Sequence, residues 1–142
     1  MTVTNPIETI RIGENGRNQL LLLKKRTGIK NWNVLCRWAL CKSLAEPSLP
    51  PPLNETNESG VSSETTQKPL SVEMTWTTFG GSDADLYSTL LAARCVADNL
   101  PLDKETLAEQ FRLHLHRGLS FLVGPNGPRS LEDLFEIEVE QG

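Results

Sequence analysis

The chain has 142 residues, which suits one domain and makes an elaborate multi-domain enzyme unexpected. Its net charge of -4 would argue against nucleic-acid binding if the charge were spread evenly. It is not: residues 1–46 carry eight basic and three acidic side chains, a net charge of +5, and the remaining 96 residues carry six basic and fifteen acidic ones, a net charge of -9. The split indicates a basic first part suited to a nucleic-acid backbone, followed by an acidic remainder.

Cysteine usage and hydropathy favour a soluble protein in a reducing compartment. Cys36, Cys41 and Cys95 form no CxxC pair, and their odd number leaves one over in any disulfide scheme. The apolar run Leu20–Leu23 is far too short to span a bilayer, and no apolar leader follows the N-terminus. We therefore expect a cytoplasmic protein.

The basic part is predicted to fold as a strand followed by two helices. Ile7–Ile12 has the β-branched residues and rough alternation of a short strand. Residues 15–27 are rich in good helix formers, and Gly28 supplies a C-terminal stop. A second helix is predicted from Trp32 to Ala45, which is apolar on most sides and would need more neighbours than one helix and one strand. This composition predicts assembly into an oligomer.

Strand, helix, glycine turn and helix in this order resemble the ribbon-helix-helix proteins, in which two chains pair their strands. Such pairing would give the lone strand a partner. If Ile10 and Ile12 face the core, Thr9 and Arg11 face outward, where an exposed ribbon can enter the major groove. The alternative is a ribbon that only holds the dimer together.

Beyond this module the sequence divides into three parts. Residues 47–72 contain five prolines and many polar side chains, as expected for a linker or insert. Residues 73–124 are predicted to complete the same domain with two helices. The first, over 83–99, is marked by a stripe of small and large apolar residues. The second, over 103–118, is predicted to end at Gly118. The stripe consists of Leu86, Leu90, Ala93 and Ala97. Residues 125–142 form an acidic tail.

The densest positive charge is Lys24-Lys25-Arg26, with Arg17 before it and Lys30 beyond Gly28. Clusters of this kind neutralise phosphates and release counterions. The alternative is a solvated helix end where the dipole favours cations. Further basic residues lie nearby without balancing acids, so we favour phosphate contact, with Arg11 of the predicted strand as an additional candidate.

No motif in the sequence indicates an enzyme, a metal or a cofactor. His114 and His116 form an HxH, but two residues apart on a helix they point about 200° away from each other. We expect each to be hydrogen-bonded at a surface or interface. Gly80-Gly81 lacks the Lys-Ser/Thr of a phosphate-binding loop, and Asp83 and Asp85 suit a helix start.

Two stretches resemble the DndE family, which belongs to a bacterial system that replaces a non-bridging phosphate oxygen of DNA with sulfur. They are KKRTGIKNWNVLCRWALCKSLAEPSLPPP (residues 24–52) and LPLDKETLAEQFRLHLHRGLSFL (residues 100–122). The run TGI…WNVLCRWA, with two tryptophans and two cysteines in one helix, is not general among ribbon-helix-helix proteins. The resemblance leaves out residues 53–72 and the tail.

The resemblance implies an accessory, non-enzymatic protein of mainly helical fold. It implies a homotetramer that binds duplex DNA, with nicked duplex the suggested preference, and DNA contacts through surface lysines, here Lys24, Lys25 and Lys30. The sulfur chemistry would belong to other proteins of the pathway. A scaffold that docks those proteins without binding DNA is the alternative.

Overall fold

The computed structural model describes residues 5–52, 71–125 and 127–133. In chain order the elements are strand β1 (Thr9–Ile12), helix α1 (Glu14–Thr27), helix α2 (Trp32–Leu44), strand β2 (Val72–Thr75), the short helix α3 (Trp76–Gly80), helix α4 (Ala84–Ala97) and helix α5 (Lys104–Val123). A 3₁₀ turn, Gly81–Asp83, joins α3 to α4. The predicted fold class is confirmed: the protein is mainly helical, with one pair of short strands.

The first strand finds its partner within its own chain. β1 pairs antiparallel with β2, with Ile10 opposite Met74 and Arg11 opposite Glu73. The expectation that pairing with a second chain would complete the strand was wrong, because β2 lies some sixty residues further along the same chain, beyond the insert. The predicted facing is confirmed: Ile10 and Ile12 are buried, while the side chains of the alternate residues are exposed.

Helices α1 and α2 lie where the sequence predicts them. Gly28 ends α1 with φ of 77°, in the left-handed region, and its N–H donates to the Lys24 carbonyl at 2.9 Å. Glycine suits this position because it has no Cβ to strain the backbone there. α2 begins after Asn31 in the N-cap position, although the Asn31 side chain makes no capping hydrogen bond.

The long helix α5 is the centre of the fold and packs most extensively against α2. Asp103 caps its start by accepting from the Thr106 N–H at 3.0 Å. The helix does not end at Gly118 as predicted but continues to Val123. Gly118 serves close packing instead, because a Cβ there would collide with the Ala39 carbonyl of α2. The glycine is therefore a contact point between helices rather than a helix stop.

An aromatic cluster holds α3 against α5. The ring of Trp76 lies 5.0 Å from that of Phe79 and 5.0 Å from that of Phe111, and Phe79 and Phe111 are 5.3 Å apart. The Trp76 indole N–H donates to the Ala84 carbonyl at 3.2 Å, which satisfies its one polar group in the core. This cluster fixes the 3₁₀ turn and the start of α4.

Two apolar surfaces remain uncovered within the described residues. α2 buries Leu35, Cys36 and Leu40, but the opposite side of the helix faces outward. On α4 the predicted apolar stripe exists, but it is exposed, and the buried residues are Ser88, Leu91 and Cys95. The prediction of an oligomer stays a prediction.

The insert and the tail fall mainly outside the described residues, at 53–70 and 134–142. The start of the insert, Pro47–Pro52, is described, and Pro50 in it is buried. Among the residues the structure describes, no helix is long and apolar enough to cross a membrane.

Candidate nucleic-acid interface

The predicted cations of α1 do not all lie on one side of the helix. Successive residues of an α-helix are turned by about 100°. Arg17 and Lys24, seven residues apart, therefore lie within about 20° of each other, whereas Lys25 is turned by about 100° from Lys24 and Arg26 by about 200°. One straight backbone cannot meet all four side chains at once.

Lys24 lies against the first residue of α2. Its Nζ is 4.8 Å from the centre of the Trp32 ring, a cation–π contact across the turn that joins the two helices. Both side chains are partly buried. The ring limits the positions that the ammonium can take and leaves its hydrogen-bond donors available to an anion.

Lys25 and Lys30 are exposed and Arg17 is half-buried. Within the described part of the chain these three side chains have no ion-pair or hydrogen-bond partner. We call Arg17, Lys24, Lys25 and Lys30 the α1 cation cluster. Their charge is not balanced locally, because residues 17–42 contain seven basic side chains and no acidic one.

Arg26 is tied to another helix. Its Nη1 donates to the Val123 carbonyl in the last turn of α5 at 3.3 Å. Last-turn carbonyls have no partner within their own helix, and the dipole there favours a cation. Arg26 therefore fits the alternative that the sequence left open, a cation at a helix C-terminus. The helix end that it caps is that of α5 and not that of its own helix.

Arg11 is also partnered. Its Nε lies 3.0 Å from a carboxylate oxygen of Glu73, the residue opposite it on β2. Both side chains are largely exposed, at 71% and 48%. Thr9 faces outward beside it as predicted. The carboxylate offsets the charge that Arg11 would offer to a phosphate.

A second group of cations was missed by the sequence reading. Arg94 of α4 donates to the carbonyls of Leu44 at 3.0 Å and Ser48 at 2.6 Å, and its Nε donates to Asp98 at 2.9 Å. Arg117 of α5 donates to the Ser43 carbonyl and to the Ser48 carbonyl, each at 2.9 Å. We call these two side chains the arginine latch.

The arginine latch joins the end of α2 to the start of the insert. The carbonyls it binds include those of the last turn of α2, which lack partners within the helix. Leu113, Leu115 and Leu119 lie close to Arg117 in the sequence, and these neighbours could have suggested a buried arginine with fixed partners.

His114 belongs to the same network and is completely buried, not at a surface as predicted. Its Nδ1 lies 2.8 Å from Ser43 Oγ, which also accepts from Arg117 Nε at 2.8 Å. Burial, followed by the charges of Arg94 and Arg117, lowers the pKa of His114 from 6.5 to about 4. The imidazole is therefore neutral at physiological pH.

The other residues considered for chemistry are separated or buried. His116 lies on another side of α5, near Gly16 of α1. Burial raises the pKa of the Cys36 thiol to about 12, so the thiolate is strongly disfavoured. No group of three or more His, Cys, Asp or Glu side chains within residues 5–52, 71–125 and 127–133 is arranged to hold a metal ion.

The protein is mainly helical. The end of α1 and the turn that leads to α2 carry several basic side chains, whereas Arg94 and Arg117 are held by hydrogen bonds within the fold. The family model for DndE, the DNA sulphur modification protein, matches residues 9–127. The chain therefore belongs to the DndE family, which places it in the DNA sulfur modification pathway. A comparison with curated proteins found no match.

Proposed function

We propose that the protein binds duplex DNA through backbone phosphates, as a non-enzymatic accessory protein of the sulfur modification pathway. The observation that carries the proposal is the α1 cation cluster. Lys24 and Lys25 lie in the last turn of α1, Arg17 lies about two turns earlier and Lys30 follows the Gly28 turn. Lys24 is positioned by the Trp32 ring. Point charges on flexible stems suit phosphate contact with little reading of bases.

The structure narrows the set of residues proposed for contact. Arg17, Lys24, Lys25 and Lys30 remain, with Lys24 and Lys25 central because they follow each other at the exposed end of α1. Arg26 and Arg11 become secondary, since each has a protein partner that DNA would have to displace. A preference for nicked duplex and assembly into a homotetramer complete the proposal.

A scaffold without DNA contact is the second candidate. The exposed acidic side chains at the starts of α4 and α5, including Asp85 and Glu105, could meet a basic partner, as the α1 cation cluster could meet an acidic one. Family membership supports a role beside other proteins of the pathway in either case.

Titrating labelled duplex with the pure protein at increasing salt separates the two candidates. We expect the logarithm of the binding constant to fall linearly with the logarithm of the salt concentration, with a slope of about -0.9 for each neutralised phosphate. Nicked and intact duplexes of one sequence should be compared at each salt concentration. Absence of binding to both duplexes near physiological ionic strength would favour the scaffold.

A further inference from the structure

The last turn of α5 lies beside the basic end of α1. Arg26, which directly follows Lys25, donates from Nη1 to the Val123 carbonyl at 3.3 Å. Further back along both helices, Gln19 Nε2 donates to Ser120 Oγ at 3.3 Å. The chain therefore leaves α5 at the end of the molecule that carries Lys25 and the turn after α1.

After α5 the chain first folds back on the same helix end. The Gly127 N–H donates to the Gly124 carbonyl at 3.0 Å, and a Cβ at Gly127 would collide with the Leu122 carbonyl. The described chain continues from there to Asp133. Residues 134–142 therefore begin within a few residues of a point that is packed on the last turns of α5.

The acids at the end of the sequence are not balanced by bases near them. Residues 118–142 carry five acidic side chains and one basic side chain, Arg129. Residues 17–42 show the opposite imbalance, with seven basic side chains and no acidic one. Three of the five acids follow Asp133 at alternate positions, and we call them the acid triplet: Glu136, Glu138 and Glu140. The fold thus brings the start of an acidic segment to the end of the molecule that holds the densest positive charge.

The length and spacing of this segment suit a contact with the α1 cation cluster. Glu140 follows Asp133 by seven residues, so the chain between them can span up to about 23 Å. Residues two apart point to the same side of an extended chain, so such a chain can present three carboxylates in one row. Lys25 and Lys30 are exposed and have no partner within the described residues. Lys24 keeps its hydrogen-bond donors available beside the Trp32 ring.

We propose that the acid triplet binds the α1 cation cluster of its own chain and competes there with DNA phosphates. Carboxylate and phosphate oxygens are both anionic hydrogen-bond acceptors, so a lysine ammonium binds either. The competition rests on the proposed DNA binding, whereas the contact itself forms without DNA. The family model matches residues 9–127, so the acid triplet lies outside the part of the chain that it matches.

Competition of this kind gives DNA binding a particular salt dependence. DNA binds only chains whose α1 cation cluster is free, so the apparent affinity falls with the fraction of free clusters. Exposed ion pairs weaken as the salt concentration rises. The inhibition by the acid triplet is therefore largest at low salt and fades at high salt.

Cross-linking with a water-soluble carbodiimide tests the contact in the 142-residue chain without DNA. The reagent joins a carboxylate to an amine where the two touch, and mass spectrometry of the single-chain band on a denaturing gel identifies the joined peptides. We expect links from the acid triplet to Lys25 or Lys30. Lys104 is the internal reference, because its Nζ lies 3.9 Å from Glu8 Oε1 at the start of α5. It should link to Glu8 and not to the acid triplet.

Two double variants that lose the same negative charge test the competition. Glu136→Gln/Glu138→Gln should raise the affinity for labelled duplex about threefold to fivefold at low salt, since two exposed ion pairs no longer oppose DNA. The gain should shrink towards none as salt rises.

Glu8→Gln/Glu109→Gln is the matched control for the loss of charge. Both acids lie towards the start of α5, about 20 to 30 Å along the helix from Val123. This distance exceeds the screening length in salt, so the control should leave the DNA affinity nearly unchanged.

The results separate this contact from the proposed function. Links from the acid triplet to the α1 cation cluster, together with a gain in affinity confined to Glu136→Gln/Glu138→Gln, would support the competition. DNA binding without those links, or equal gains in both double variants, would overturn the competition and leave the proposed function in place. Links without any DNA binding would overturn the competition together with the proposed function.

Discussion

The arginine latch and the α1 cation cluster are both groups of basic side chains, yet their surroundings differ in almost every respect. Arg117 is 8% exposed and donates to the backbone and side chains of residues 43–48. Lys25 and Lys30 are exposed and have no partner within the described residues. One group is fixed by carbonyls, and the other keeps its hydrogen-bond donors available.

This difference shows how a charge count misleads when it ignores partners. Residues 94 and 117 lie in the acidic part of the chain, where they stabilise the end of α2. Arg11 and Arg26 lie in the basic part, but their partners make them part of the fold as well. Only basic side chains that lack such partners can bind a phosphate without first breaking a contact.

Removing the arginine latch should have the largest effect on stability. Arg117→Ala removes the hydrogen-bond donor from two buried acceptors, the carbonyl and the side-chain hydroxyl oxygen of Ser43. We therefore expect the free energy of unfolding to fall by roughly 3 to 5 kcal/mol. Urea denaturation measures this loss. Arg112→Ala, an exposed change on the same helix, should cost less than about 0.5 kcal/mol, and an equal loss in both variants would count against the latch.

The neighbouring His114 should make the stability of the fold depend on pH. Its pKa is about 4 in the folded protein and 6.5 in its ordinary state. Below pH 6.5 the unfolded chain binds the proton first, so stability should fall as pH decreases from 6.5 to 4, by at most roughly 3 kcal/mol. Above pH 6.5 this contribution is complete.

Denaturation at several pH values would detect the effect of His114. In His114→Gln the slope between pH 6.5 and 4 should become smaller, whereas His116→Gln should keep it. If the two variants behaved alike, the buried histidine would not be the group responsible.

The exposed pair of Arg11 and Glu73 should matter least. We expect Arg11→Ala to change the free energy of unfolding by less than about 1 kcal/mol, as is usual for exposed ion pairs. It should also weaken DNA binding less than Lys25→Ala does, because the Glu73 carboxylate already offsets its charge. The DNA affinities of both variants at one salt concentration give the order of the two losses. A larger loss of affinity for Arg11→Ala would make the β1–β2 strand pair a DNA contact site.

Local signals in the sequence were enough for the first two helices. The glycine stop at residue 28 and the apolar composition of 32–45 gave α1 and α2 nearly to the residue. The alternation at Ile10 and Ile12 gave the buried side of β1. Each of these features depends on residues that are close together in the chain.

Features that depend on distant residues could not be predicted. β1 pairs with a strand some sixty residues later, and Gly118 is required by the approach of Ala39 rather than by a helix end. In the candidate site the sequence placed the cations but could not separate Arg11 and Arg26 from the others. Their partners, Glu73 and Val123, are known only from the folded chain.

The most direct test is the salt dependence of DNA binding in two variants that lose the same charge. Lys24→Ala/Lys25→Ala should weaken binding and reduce the log–log salt slope by about 2, because two phosphate contacts per chain are lost. Lys104→Ala/Arg112→Ala, on exposed positions of α5, should leave the slope nearly unchanged. Equal changes in both double variants, or no change in the first, would contradict the assignment of phosphate contact to the α1 cation cluster.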